Sequence, residues 1–93
     1  MPKYLIERRI PNAGAFTPAE LHAISVKSNG VLHGMQRDGT PIHWVQSYVT
    51  DDAIHCVYVA PDAEAVRRHA ECGGFPADKV SEVRGVIDPV TGE

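Results

Sequence analysis

No stretch of this sequence approaches the roughly 18 consecutive apolar residues that a membrane-spanning helix requires. The opening residues, Met1-Pro2-Lys3-Tyr4, run into Glu7-Arg8-Arg9 without the apolar core of a signal peptide. There is no excess of positive charge: 9 Lys and Arg stand against 12 Asp and Glu, a formal net charge of −3. That argues against nucleic acid as a partner, since phosphate backbones are held mainly by a basic face. Cysteine is scarce, with Cys56 and Cys72 alone and no CxxC spacing. A disulfide scaffold is therefore excluded in favour of free thiols in a reducing compartment, and a cytoplasmic location is expected. Internal repeats, low-complexity runs and phosphate-cradling glycine loops are also missing. The 93 residues leave room for one domain with a core over about residues 3–88 and a polar tail at 89–93. A core of that size is limited, which makes oligomerisation a reasonable expectation.

The sequence does contain a clear succession of elements. Residues 3–10 read as a strand that stops at the turn cluster Pro11-Asn12-Ala13-Gly14. Thr17-Pro18-Ala19-Glu20 is a helix start: Thr17 can cap, Pro18 suits the first helical position, and Glu20 can close a capping box. Leu21, Ile24, Ser28, Val31, Leu32 and Met35 follow at helical spacing. Gly30 and Gly34 weaken the last turns of this helix. Residues 42–49 and 54–60 read as a hairpin closed by Thr50-Asp51-Asp52-Ala53. A second helix opens with Asp62 as its cap and stops at Gly73-Gly74 before Pro76. Residues 80–87 form the last strand. The order β-α-β-β-α-β predicts an α+β, ferredoxin-like domain, a four-stranded antiparallel sheet with both helices on one face and the first and third strands at its centre.

That architecture leaves one sheet face open. With the hairpin turn centred on Asp51-Asp52, paired residues have numbers that sum to about 103. One face then carries Trp44, Gln46, Tyr48, His55, Val57 and Val59. The other carries His43, Val45, Ser47, Val49, Ile54, Cys56 and Tyr58, and it is assigned to the helix side because it is smaller and more apolar. In the first strand Tyr4, Ile6 and Ile10 go beneath the helices, while Leu5, Glu7 and Arg9 point to the open face near His55. Aromatic and hydrogen-bonding groups together line either a ligand pocket or a dimer interface. Glu7, Trp44, Gln46, Tyr48 and His55 are thus the candidate ligand-binding set. Glu7 and His55 could serve in acid–base chemistry or as donors to a divalent metal. The structural alternative is that Glu7 pairs with Arg9 or Arg84. His22 and His33 lie on the solvent side of the first helix, about 16 Å apart, too far to share an ion. His69 borders the apolar face of the second helix, where it is either a metal ligand or a favourable cation at the helix C-terminus.

Four segments, Tyr4-Leu5-Ile6-Glu7-Arg8, Trp44-Val45-Gln46-Ser47-Tyr48-Val49, Cys56-Val57-Tyr58 followed by Ala60-Pro61, and Gly74-Phe75-Pro76-Ala77-Asp78, carry a family resemblance. Over residues 2–88 the chain resembles a small bacterial domain-of-unknown-function family of ferredoxin-like dimers that includes an actinobacterial nickel-binding protein. The resemblance implies a homodimer and makes nickel, or another divalent transition metal, a candidate cofactor. The residues available as ligands are Glu7, His55 and His69, with His69 on the opposite side of the sheet, so that a complete site would have to be shared across a dimer. The expected function is a small dimeric ligand- or metal-binding protein. The competing expectation is a cofactor-free oxygenase- or isomerase-type enzyme working over the open face, with His55 as its acid–base residue.

Overall fold

The first strand alternates polar with apolar residues, and the alternation sets the fold. β1 (Lys3–Arg9) buries Tyr4, Ile6 and Arg8 on one face and leaves Lys3, Leu5 and Arg9 exposed on the other. The computed structural model describes residues 1–93 of the chain. α1 (Pro18–Arg37) begins with the expected capping box: the Thr17 hydroxyl accepts from the Glu20 backbone N–H, and the Glu20 carboxylate accepts from that of Thr17. Gly30 and Gly34 do not end it, because Leu32 and Met35 are buried on either side of Gly34 and tertiary packing outweighs local propensity. β2 (His43–Val49) and β3 (Ala53–Val59) form the hairpin, and α2 (Ala63–Gly73) is capped by the Asp62 carboxylate. β4 (Lys79–Glu82) completes the sheet. It is shorter than the sequence suggested, ending at Glu82 rather than continuing to Ile87, and Val86 and Ile87 are largely exposed.

The strand order is β2-β3-β1-β4, with every neighbouring pair antiparallel. This is the ferredoxin-like βαββαβ arrangement. Tyr4, Ile6, Ile54, Cys56 and Tyr58 of the central strands pack against Leu32 and Met35 of α1 and Ala65 and Val66 of α2.

The hairpin register holds from Val49↔Ile54 to Gln46↔Val57, each pair summing to 103 as expected. It then slips by one. A bulge at Val45 puts Trp44 opposite Tyr58 and His43 opposite Val59. Because side chains alternate along a strand, an extra residue reverses the faces of everything beyond it. Trp44 is therefore on the helix side, packed against the core, and His43 on the open side, the reverse of the sequence-based assignment. Val45, expected inside, is exposed.

The exit from α2 is sharply constrained. Gly74 takes a left-handed conformation (φ 69°), which a side chain would oppose. Its N–H and that of Phe75 return to the carbonyls of Glu71 and Ala70. The chain doubles back so tightly that a Cβ at Gly73 would run into the Phe75 ring. Gly73→Ala is expected to lower stability by about 1–3 kcal/mol, the usual cost of overpacking. In the Gly73→Ala/Phe75→Ala double variant the two effects should not add, because the clash disappears with the ring. Chemical denaturation of the four proteins of that cycle measures the coupling.

Candidate functional site

Adjacent residues across the strands form rows on the open face. One row runs Tyr48–His55–Glu7–Lys79 and the next Gln46–Val57–Leu5–Ser81. Glu7 and His55 are direct cross-strand partners, both half-buried. Tyr48 flanks His55 and receives a hydrogen bond from the Gln46 side-chain amide. Four of the five residues proposed from sequence to bind a ligand are thus gathered on one surface, and Trp44 stands apart from them across the sheet. Glu7 takes no part in the ion pair of the chain, which joins Arg84 to Glu82 at 2.8 Å. A wide, open depression of about 370 Å³ lies beside Glu7, Arg9 and the turn residues Thr50 to Ala53, so solvent ions have access to this end of the face. The two rows also carry exposed apolar surface, with Leu5 at 43% and Tyr48 at 55% exposure.

Glu7 and His55 are two donors, and nowhere does the chain bring together three or more His, Cys, Asp or Glu groups able to hold an ion. Imidazole nitrogen and carboxylate oxygen suit nickel chemically, but a square-planar or tetragonal site needs about four donors. One chain therefore supplies half a site at most.

His69 lies elsewhere. Sequence placed it at the border of α2's apolar face, yet it is fully buried, 0% exposed. Its Nε2 is 3.2 Å from the Ser28 hydroxyl of α1, and its ring lies between those of Tyr58 (5.2 Å) and Phe75 (5.7 Å). A cation would be unfavourable at this position: burial, with a smaller contribution from the nearby Arg8 charge, lowers the His69 pKa to about 4. The Tyr58 phenol is likewise raised by burial and remains a neutral hydroxyl.

Arg8 is the residue that the sequence reading passed over. It is 4% exposed, and its guanidinium sits among the same rings, 5.6 Å from the Phe75 centroid and 5.9 Å from that of Tyr58. Nη1 donates to the Pro76 carbonyl at 2.6 Å, and Nε to the Cys56 sulfur at 3.4 Å. Period-two alternation from Tyr4 and Ile6 was the signal that could have found it. Arg8 also lines a cavity of about 80 Å³ between α1 and the sheet, together with Ser25, Ser28, Trp44, Ser47 and other residues. Three serines face this space from the helix and from β2, and their short side chains leave the gap.

The buried neutral imidazole produces a pH dependence. An unfolded His69 takes up a proton near pH 6.5, the folded one only near pH 4, so the unfolded state binds more protons between these values. Stability contributed by His69 is complete above about pH 6.5 and is lost as pH falls toward 4. Urea unfolding at a series of pH values should show a slope component of about 1.4 kcal/mol per pH unit across this window. His69→Gln, which retains a hydrogen-bonding group for Ser28, should remove that component. An unchanged slope would mean that the folded chain takes up the His69 proton as readily as the unfolded one.

Similarity to known proteins agrees with this architecture. No curated protein matches the sequence. The crystal structure of SCO4226 from Streptomyces coelicolor A3(2) superposes with a TM-score of 0.75 at 24% sequence identity, over 91% of this chain and 99% of that one, and supports the fold. The family described as nickel responsive protein SCO4226-like matches residues 4–83. By that match, which spans most of its length, the chain belongs to the nickel responsive SCO4226-like family.

Proposed function

We propose that the chain works as a cytoplasmic homodimer that binds a divalent transition metal, nickel first among them, through Glu7 and His55 of both protomers. The observation that carries the reading is the direct pairing of Glu7 with His55 on a sheet face that nothing in the chain covers. A two-fold interface presents the same patch from both subunits. Two donors from each side then make the four that one chain lacks. Leu5, Tyr48 and Val57 surround the pair with apolar surface suited to burial between subunits. The family description supplies the preference for nickel, and the imidazole–carboxylate donor set is compatible with it. Gln46 and Tyr48, hydrogen-bonded to one another, border the pair and would fix the orientation of the His55 ring.

Native mass spectrometry of protein purified without an affinity tag should show a dimer carrying one metal ion per two chains. In calorimetry with nickel, Glu7→Ala and His55→Ala should each weaken binding by more than tenfold, about 1.4 kcal/mol. Tyr48→Glu, which adds a charge to the apolar rim, should give monomers that no longer bind tightly. A monomeric parent, or a Tyr48→Glu monomer that retains parental affinity, overturns the shared site.

A further inference from the structure

An arginine that is 4% exposed ordinarily has a carboxylate beside its guanidinium. Arg8 has none. Its polar partners are the Pro76 carbonyl and the Cys56 sulfur, and Nη2 is buried without any hydrogen-bond partner. The cavity that Arg8 lines contains no Asp or Glu, and nine of its thirteen lining residues are hydrophobic. Its hydroxyls are those of Ser25, Ser28 and Ser47, already bonded to the Leu21 carbonyl, His69 and the Trp44 indole respectively, and that of Tyr58, which faces Ser28 and Arg8. At about 80 Å³ the space exceeds the ~10–15 Å³ that admits a water. It is large enough for an occupant of a few non-hydrogen atoms.

We infer that this cavity between α1 and the sheet is a binding site for a small monocarboxylate with an apolar body, held by its carboxylate on the Arg8 guanidinium. Arginine's planar fork matches a carboxylate, and Nη2 has an unused donor for it. The apolar walls formed by Leu21, Ile24 and Trp44 would take the hydrocarbon end. The neutral His69 behind Ser28 adds no competing positive charge. This site lies on the helix side of the sheet, opposite Glu7 and His55, so it stands or falls independently of the metal reading.

Butyrate is a suitable probe, with butyramide as its uncharged match. Butyrate should raise the melting temperature saturably, with half-saturation on the order of millimolar for so small a ligand. It should also shift the indole N–H resonance of Trp44, the one tryptophan of the chain. Butyramide, and sodium chloride at matched ionic strength, should do neither. Arg8→Met should melt at or above the unliganded parent, because an unpaired buried charge is replaced by an apolar chain, and should lose the butyrate response. If Arg8→Met does not fold, Ile24→Trp decides: it retains Arg8 but fills the cavity, and butyrate should have no effect on it. Equal responses to butyrate and butyramide, no response to either, a response matched by chloride, or a full butyrate response in Ile24→Trp would each overturn the assignment.

Discussion

Placing the Arg8 guanidinium inside the fold takes a full charge out of water at a cost of several kcal/mol, and a core of this size has little spare apolar burial to offset it. Much of the surrounding structure acts on that cost. The faces of Tyr58 and Phe75 present their negative quadrupoles to the cation, and the Pro76 carbonyl accepts its strongest hydrogen bond. Phe75 and Pro76 reach Arg8 because α2 stops abruptly at Gly73 and Gly74. Burial, with a smaller contribution from this charge, keeps His69 neutral, and a neutral imidazole can lie between two rings and bond to Ser28 without a counterion. Strand, helix terminus and interhelical contact are therefore coupled through one side chain.

The two sides of the sheet are chemically different and relate differently to the rest of the molecule. Beneath the helices the polar groups are few, enclosed and arranged around a single charge. On the open side Glu7, His55, Tyr48 and Lys79 lie in a row across all four strands, reachable from solvent. Cross-strand neighbours at this spacing are fixed by the ladder rather than by their own rotamers, so the Glu7–His55 pairing does not depend on the loops.

Much of this could be read directly from the residues. Thr17-Pro18-Ala19-Glu20 and Asp62 announced both helix starts because capping is local chemistry. The Asp51-Asp52 turn set a register that brought His55 opposite Tyr48 and beside Glu7. Three features escaped for physical reasons. A one-residue bulge at Val45 has no marker such as glycine, yet it exchanges the faces of His43 and Trp44. β4 stops at Glu82, followed by one last backbone bond from the Val83 N–H to the Lys3 carbonyl, because β1 itself begins at Lys3 and offers nothing further to pair with, although Val83 to Ile87 have strand-like composition. Arg8 was given no face and His69 only the border of its helix's apolar face, whereas their burial depends on aromatic partners from distant parts of the chain.

The bulge at Val45 has a consequence for how copies of this chain can meet. β2 is an edge of the sheet, and a flat seven-residue edge presents unpaired backbone groups on which another strand can add. The extra residue twists that edge and interrupts its hydrogen-bonding periodicity. The opposite edge, β4, is four residues long and begins with a lysine. Both margins are poor templates for open-ended strand addition, which leaves face-to-face contact, a mode that closes on itself, as the more accessible route to self-association.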